Sequence, residues 1–194
     1  MSIDYYDRNA ATFIAGSVDA DMSDTRARFL AHVKPRGTIL DGGCGSGRDA
    51  LAFKQAGYDV TAFDGSAALA GLASAHTGLA VRHMLFSQVE WRDAFDGIWT
   101  CASLLHVPRA ELNNAMQRLA RALRPGGAWF VSFKYGATER VADDGRYFND
   151  MTEELLATAI AGTGLRISEM WTSRDVRPER AGNTWLGALA TRDA

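Results

Sequence analysis

Cysteine is scarce in this sequence of 194 residues. The two cysteines, Cys44 and Cys101, are too few for a framework of disulfide bonds. Both lie in apolar or glycine-rich stretches, a setting typical of a protein interior. We therefore expect both thiols to stay reduced and the protein to be cytoplasmic.

Long apolar runs are also missing. No stretch approaches the roughly 20 apolar residues that a membrane-spanning helix needs, and we therefore expect no membrane segment. The first residues include the acidic Asp4 and Asp7 and lead into no apolar run, which argues against a secretory signal peptide.

Neither positive charge nor metal-binding side chains are concentrated in the sequence. The formal net charge is −2, without a basic surplus, and we therefore expect no nucleic-acid partner. The four histidines are scattered and no Cys-x-x-Cys motif occurs, so we expect no metal site. The remaining composition, with 47% apolar and 23% charged residues, is typical of a single globular domain, here residues 1–194.

Strands and helices alternate along this domain until two strands follow one another at the end. Alternation predicts parallel β-α-β units with right-handed crossovers, and the short final connection predicts an antiparallel pair. We predict an α/β fold with a doubly wound, mostly parallel, seven-stranded Rossmann-like sheet, an antiparallel strand at one edge and helices on both faces. The predicted strands are 38–41, 59–63, 81–85, 95–102, 128–133, 165–172 and 184–190, and the predicted helices are 23–33, 48–55, 67–76, 112–123 and 152–161.

The densest run of glycine follows the first predicted strand, in Asp41-Gly42-Gly43-Cys44-Gly45-Ser46-Gly47. Glycine lets the backbone approach a ligand closely, and the next helix points free N–H groups at that ligand. Residues 45–50 match the dinucleotide pattern Gly-x-Gly-x-x-Ala by letter. The Asp41 carboxylate, however, would repel a pyrophosphate and suits a positively charged ligand. S-adenosylmethionine is such a ligand, because it carries an ammonium and a sulfonium group but no phosphate.

A second carboxylate, Asp64, ends the second predicted strand. Its distance from the glycine loop is close to the ~20 residues at which an acid accepts hydrogen bonds from ribose hydroxyls. Gly65 and Ser66 follow as an open turn beside the expected adenine. Asp64 alone is equally typical of a helix cap, but its combination with Asp41 and the glycines favours the ribose.

Four motifs in order carry a resemblance to a known family. The four motifs are Ile39-Leu40-Asp41-Gly42-Gly43-Cys44-Gly45-Ser46-Gly47, Val60-Thr61-Ala62-Phe63-Asp64-Gly65-Ser66, Phe95-Asp96-Gly97-Ile98-Trp99 and Leu123-Arg124-Pro125-Gly126-Gly127. With them, the stretch from residue 39 to about residue 136 resembles the class I S-adenosylmethionine-dependent methyltransferases. Gly47-Arg48-Asp49 and residues 57–62 make it most similar, within that family, to small bacterial methyltransferases of the tellurite-resistance-like type.

The resemblance implies S-adenosylmethionine as cofactor and a role for several residues. Asp41 would order the methionine end of the cofactor, with the backbone of Gly43 and Gly45 nearby. Asp64 would hold the ribose, next to Gly65 and Ser66. Within the domain we expect residues 1–36 to form an N-terminal lid and helix, 37–133 the cofactor-binding half and 134–194 the half facing the methyl acceptor.

Three further cofactor contacts rest on the resemblance alone. Phe86 would lie near the adenine, although relatives often have an aspartate there. Ser103, after the fourth strand, would lie near the sulfonium. Tyr6 belongs to an N-terminal motif that folds over the cofactor in relatives, and Phe13 stands where that motif has a second tyrosine.

Few residues in the sequence indicate how the methyl acceptor would be bound or activated. His106 is the best-placed candidate for a catalytic general base, which is needed only if the acceptor holds a proton at pH 7. The alternative is a histidine that packs against the end of the fourth strand. Basic residues of the last loops suggest an anionic acceptor, but interleaved acids favour a solvated surface instead. These basic residues are Lys134, Arg140, Arg146, Arg174, Arg177 and Arg180.

A small molecule is the expected acceptor, because the sequence has no basic surplus and no Asn/Asp-Pro-Pro-Tyr/Phe motif after the fourth strand. Two other functions stay open. A non-catalytic protein that binds S-adenosylmethionine would keep the glycine loop. A nicotinamide-dependent oxidoreductase would need a phosphate site, which Asp41 disfavours.

Overall fold

The computed structural model describes residues 2–194, apart from the side chain of Glu179. The helices are α1 (Ser2–Ala15), α2 (Ser23–Leu30), α3 (Arg48–Gln55), α4 (Ala67–Thr77), α5 (Arg109–Ala122) and α6 (Glu153–Ala161). The strands are β1 (Thr38–Gly42), β2 (Asp59–Asp64), β3 (Arg82–His83), β4 (Phe95–Thr100), β5 (Leu123–Lys134), β6 (Glu139–Val141), β7 (Tyr147–Asn149), β8 (Arg166–Arg174) and β9 (Thr184–Thr191).

Seven of these strands form one sheet in the order β3-β2-β1-β4-β5-β9-β8. The first five are parallel, and β9 runs antiparallel to both of its neighbours. This confirms the doubly wound, mostly parallel sheet. The antiparallel strand β9 lies one position in from the edge, which β8 occupies. Strand order reverses between β1 and β4, so the crevice for a ligand opens at the carboxyl ends of these two strands.

The central strands are apolar because helices cover both faces of the sheet. On one face, the rings of Phe29, Phe53, Trp99 and Phe130 pack at centroid distances of 4.3–5.6 Å. On the other face, α5 buries Leu112, Met116 and Leu119 at the spacing that the sequence shows. Each such side chain contributes about 1.5–3 kcal/mol on burial. This packing on both faces holds the carboxyl ends of β1 and β4 in place.

The segment 134–150, in which no strand is predicted from the sequence, is not irregular. It contains the antiparallel hairpin β6–β7, in which Arg140 pairs with Phe148. Gly145 turns the hairpin with a φ of +83°, in the left-handed region that glycine tolerates best. The prediction was wrong because each strand is only three residues long, too short to show an alternating pattern.

Several predicted bounds also change; strand β5, for example, begins at Leu123 and not at residue 128. Helix α2 ends at Leu30 and not at residue 33, and single turns complete the path to the buried Val33. Strand β3 is reduced to Arg82–His83, both exposed, because it lies at the edge of the sheet and pairs only with β2. Within residues 2–194, every helix is too short or too polar to cross a bilayer.

Helix α1 lies across the first turn of α4. The carboxylate of Asp7 accepts hydrogen bonds from the Ser66 hydroxyl at 2.6 Å and from the Ala68 amide at 3.2 Å. Ser66 in turn caps α4 by accepting from the Leu69 amide at 3.1 Å. Polar contacts therefore tie the N-terminal helix to the end of β2, directly beside the glycine loop.

Candidate active site

A cavity of about 440 Å³ opens at the carboxyl ends of the strands. Its wall is built from the glycine loop after β1, the residues after β4, the end of β5, and parts of α1 and β8. Of the residues that the sequence suggested for a site, it brings together Tyr6, Asp41, Gly43, Gly45 and His106.

The glycine loop adopts a conformation that other residues could not keep. Gly43, Gly45 and Gly47 have φ values of +70°, +55° and +77°. A Cβ at Gly43 would lie 2.5 Å from the Cβ of Ser103, and one at Gly47 would lie 2.6 Å from Thr77. The glycines are thus needed for both backbone conformation and close approach. The loop backbone faces the cavity without side chains in the way.

Asp41 is the most unusual charged group in the cavity wall. It is buried, and its Oδ2 has no hydrogen-bond partner within residues 2–194. The Ala50 amide, in the first turn of α3, donates to the carboxylate. Burial raises the pKa of Asp41 well above its usual value, the nearby Asp49 raises it further, and Arg48 opposes the shift. A buried carboxylate with a free oxygen suits a cationic ligand group.

Asp64 lies at the end of β2 and supports the same loop. Its Oδ2 accepts from the Gly45 amide and its Oδ1 from the Ser66 amide, both at 2.8 Å. Burial raises its pKa, although these two amides counteract the effect. Helix α1 covers this region: a Cβ on Gly65 would meet the side chain of Ile3 at 3.4 Å. Asp64, Gly65 and Ser66 therefore lie beneath α1 and outside the cavity wall.

Phe86 and Ser103 lie on the remaining side of the glycine loop, also outside the cavity wall. The half-buried Phe86 packs its ring edge against Phe63 at 5.2 Å. The hydroxyl of Ser103 donates to the carbonyl of Gly42 at 2.7 Å. Together the two side chains hold the start of the loop, where a Cβ on Gly42 would meet Phe86 at 3.2 Å.

Tyr6 and His106 contact each other across the cavity. The Tyr6 hydroxyl lies 2.8 Å from Nε2 of His106, and Nδ1 of His106 lies 2.7 Å from the carbonyl of Tyr147. A carbonyl only accepts, so Nδ1 carries the proton, and Nε2 accepts from Tyr6. Burial lowers the pKa of His106 to about 4. At neutral pH the ring is therefore uncharged, with its one lone pair directed at Tyr6.

Three cations surround the ring of Phe148 in β7. Lys134 Nζ lies 4.3 Å from the ring centroid, and the guanidinium carbons of Arg140 and Arg146 lie at 4.6 and 5.3 Å. Arg140 forms an ion pair with Asp150 at 2.7 Å, and Arg146 with Asp144 at 2.6 Å. Lys134 has no ion pair within residues 2–194. Burial, and then Arg140 and Arg146, lower the pKa of Lys134.

The other basic residues of the last loops differ in their surroundings. Arg177 is held by Asp175 at 2.7 Å, and Arg174 lies 3.3 Å from the Thr184 hydroxyl. Both line the cavity together with Arg180. Trp171 and Trp185 line it as well, and Trp171 also stacks on Phe130.

Two parts of the site, Phe148 and the ion pair of Arg48 with Asp49, were not predicted from the sequence. The ring of Phe148 contacts three cations, but Phe148 lies in the hairpin β6–β7, which was not predicted from the sequence. Arg48 and Asp49 form an ion pair in the cavity wall, and only their place after the glycine loop pointed to them.

Comparison with known proteins identifies a protein family whose model matches part of the chain. Residues 39–127 match a family model described as a methyltransferase domain. The malonyl-[acyl-carrier protein] O-methyltransferase of Enterobacter lignolyticus is 35% identical over 115 residues, which are 57% of this chain and 42% of that enzyme. The chain spans less than half the length of the curated relatives that it matches.

Solved structures share the fold over nearly the whole chain. The 1,6-didemethyltoxoflavin-N1-methyltransferase of Burkholderia thailandensis has a TM-score of 0.76 at 24% identity, covering 100% of this chain and 91% of that one. A TehB-like S-adenosylmethionine-dependent methyltransferase of Corynebacterium glutamicum has a TM-score of 0.72 at 20% identity, covering 98% and 100%. At these identities the likeness shows the fold alone. The sheet order and the glycine loop with Asp41 agree with the matched model, and residues 39–127 therefore resemble a methyltransferase domain.

Proposed function

We propose that this protein transfers the methyl group of S-adenosylmethionine to a small, negatively charged acceptor. The unpartnered Oδ2 of Asp41 carries the proposal. A buried charged oxygen without a partner is costly, so a ligand with a matching cation is expected at that place. The ammonium group of the methionine moiety is such a cation, whereas a pyrophosphate would meet repulsion.

The residues around the glycine loop fit the remaining parts of the cofactor. Asp41 would hold the ammonium, and the backbone of Gly43 and Gly45 would border the methionine. Asp64, which already accepts from two amides, retains lone pairs for the ribose hydroxyls. Because α1 covers Asp64 in this structure, binding of the ribose there would require α1 to shift. The adenine would lie beside Gly65, Ser66 and Phe86, with Ser103 and Tyr6 bordering the sulfonium. Bound there, the cofactor supplies a methyl group on a positively charged leaving group.

The acceptor would bind in front of the cations around Phe148. Lys134, which has no ion pair within the described residues, is the cation best able to bind an anionic acceptor. Arg140 and Arg146 are paired with carboxylates, so the group carries one net positive charge, on Lys134, which an anion would balance. An exposed surface patch is a weaker account, since Lys134 is half-buried in the cavity wall.

His106 would act on the acceptor only if the acceptor arrives protonated. Its Nε2 is the only lone pair on the ring, and it already accepts from Tyr6. With a pKa near 4 it is a weak base at neutral pH. An acceptor that is already an anion needs no base, and there His106 would instead orient the Tyr6 hydroxyl. Alignment of the acceptor with the methyl group, and exclusion of water by α1, would then provide the catalysis.

The first experiment tests the cofactor. Isothermal titration with S-adenosylhomocysteine, S-adenosylmethionine and NADH should give binding of the first two and none of the third. Tight binding of NADH without binding of the other two ligands would contradict the proposed methyltransferase and would indicate a nicotinamide-dependent oxidoreductase.

The second experiment separates an enzyme from a protein that only binds the cofactor. The protein is incubated with radiolabelled S-adenosylmethionine and a metabolite extract, separated beforehand into anionic and cationic fractions. Labelled product is expected from the anionic fraction. Label from the cationic fraction alone would contradict the charge of the acceptor, and no labelled product from any fraction would favour a binding role.

A further inference from the structure

The part of the cavity beyond Lys134 lies on one face of the antiparallel strands β5, β9 and β8, which are neighbours in the sheet. Lys134 of β5 pairs with Trp185 of β9, and Trp185 pairs with Ser173 of β8. Paired residues of antiparallel strands point to the same face, and all three residues line the cavity. Adjacent strands lie about 5 Å apart, so this row extends the cavity about 10 Å from Lys134, away from β1 and Asp41.

Two half-buried indole rings, Trp171 and Trp185, line this part of the cavity. Trp171 already has partners: Phe130 stacks on its ring at 5.8 Å, and the guanidinium carbon of Arg28 lies 4.8 Å from its ring centroid. Within residues 2–194, no other aromatic ring and no cation lies against the ring of Trp185. Trp185 is therefore the indole that a ligand in the cavity can contact.

A buried carboxylate, Asp175, holds the indole of Trp185 in place. Its Oδ2 accepts from Nε1 of Trp185 at 3.1 Å and from Nη2 of Arg177 at 2.7 Å, and its Oδ1 accepts from Nε of Arg177 at 2.8 Å. Burial acts to raise the pKa of Asp175, but the hydrogen bonds from Arg177 and Trp185 outweigh burial and lower it. The charged carboxylate thus fixes the orientation of the ring before any ligand binds, which reduces the entropic cost of binding.

A cation and a fixed aromatic ring therefore lie next to each other in the cavity wall. Lys134 attracts an anionic group, and the indole of Trp185 favours a flat aromatic ring over a saturated one, because stacked aromatic pairs gain more than the burial of their area. Asp21 and Asp24 line another part of the cavity and would repel an anion, so the anionic group is expected at Lys134. The row of about 10 Å is long enough for two fused six-membered rings.

We propose that the methyl acceptor is an aromatic anion, whose charged group binds Lys134 and whose ring stacks on Trp185, with Asp175 positioning the indole. This inference rests on the proposed function, because it names the chemical class of acceptor for the same site.

Three probe ligands separate the contribution of the ring from that of the charge. 2-Naphthoate is an aromatic anion, decahydro-2-naphthoate carries the same charge on a saturated frame, and 2-naphthamide has the aromatic ring without the charge. The wild type is titrated with each ligand in a calorimeter, in the presence of S-adenosylhomocysteine. 2-Naphthoate should bind about two- to tenfold more tightly than the saturated anion, and at least about tenfold more tightly than the amide.

The variant Trp185→Leu should lose the preference for the aromatic anion selectively. Its affinity for 2-naphthoate should fall about two- to tenfold, to that for the saturated anion, while its affinity for S-adenosylhomocysteine should equal that of the wild type. Asp175→Asn should reduce the same preference without weakening the binding of the saturated anion, because a neutral amide holds the indole less firmly. The matched control is Tyr135→Leu, which removes an exposed ring next to Lys134 but outside the cavity wall, and it should keep the preference.

The outcomes distinguish this inference from the proposed function. If the wild type does not bind S-adenosylhomocysteine, the proposed function fails and the inference fails with it. If S-adenosylhomocysteine binds but 2-naphthoate does not bind more tightly than its saturated counterpart, or if folded Trp185→Leu keeps the preference, the inference is refuted and the proposed function stands. A preference that persists in Asp175→Asn refutes the positioning role of Asp175, and equal binding of the amide and the acid contradicts the anionic acceptor.

A second measurement needs no variant, in case Trp185→Leu does not fold. A crystal structure of the wild type with S-adenosylhomocysteine and 2-naphthoate should show the naphthalene ring stacked within about 4 Å of the Trp185 indole. A ring bound elsewhere in the cavity, or outside it, refutes the inference.

Discussion

Replacing Asp41 with asparagine should stabilise the protein and weaken its cofactor site at the same time. In the wild type, Oδ2 of Asp41 is buried and has no hydrogen-bond partner among the described residues, and burial raises the pKa of Asp41 by disfavouring its charged form. An unsatisfied buried group costs about 1–3 kcal/mol, and a neutral amide carries less of that cost. We expect Asp41→Asn to raise the free energy of unfolding by about 1–2 kcal/mol, or roughly 2–8 °C in melting temperature for a chain of this size.

The gain in the free energy of unfolding of Asp41→Asn over the wild type should increase with pH. An acid with a raised pKa in the folded state stabilises the fold below its unfolded pKa of 3.8, and this contribution is lost as pH rises through the folded pKa. The difference between Asp41→Asn and the wild type should therefore be small near pH 4 and largest at neutral pH. Thermal unfolding of both proteins without ligand, followed from pH 4 to 8 by fluorescence, measures it.

The same substitution should weaken S-adenosylhomocysteine binding by roughly 5- to 150-fold, the equivalent of about 1–3 kcal/mol for a charge-assisted hydrogen bond. The control is Asp96→Asn, outside the cavity. Burial raises the pKa of Asp96, but hydrogen bonds from Thr38 and Arg124 outweigh burial and lower it, so its loss should destabilise the fold and leave binding unchanged. A ligand-free Asp41→Asn protein that is no more stable than the wild type, with unchanged affinity, would refute the reasoning.

Three further predictions concern the rest of the site. Lys134→Met should raise the KM for an anionic acceptor at least about tenfold without changing the Kd for S-adenosylhomocysteine, which calorimetry and initial rates will show; an unchanged KM would remove Lys134 from the acceptor site. The lowered pKa of His106 stabilises the fold fully above pH 6.5, a contribution lost as pH falls to about 4. His106→Gln should thus flatten the loss of stability in that window, by about 1–3 kcal/mol in total in denaturant titrations, and an unaltered slope would contradict the assigned burial. Gly43→Ala should destabilise the fold by about 2 kcal/mol or more, because its Cβ would meet Ser103 at 2.5 Å, whereas Gly57→Ala, with nothing within 4 Å, should cost only about 1 kcal/mol; equal melting temperatures would argue against the close approach.

Much of the fold follows from local pattern. The apolar spacing of Leu112, Met116 and Leu119 predicts α5 because a helix repeats every 3.6 residues, and the structure buries these three residues on one face. Alternation of strands and helices predicts parallel pairing, because a helix that crosses over the sheet returns the chain to the same edge before the next strand, and these crossovers are right-handed. The hairpin β6–β7 could not be predicted from local pattern. Its strands are three residues long, which is too short for a periodic pattern, and they form because they pair with each other, as Arg140 does with Phe148.

For the site, the sequence by itself determined the glycine loop, Asp41 at the end of β1 and Asp64 at the end of β2. These positions are local, because a strand end followed by glycines leads directly into a turn and a helix. Only the tertiary structure decided that α1 covers Asp64 and that, among the described residues, an oxygen of Asp41 has no hydrogen-bond partner and Lys134 has no ion pair. Burial and pairing of a charge depend on which distant segments pack around it, and that information lies in the assembled sheet and not in any one stretch of sequence.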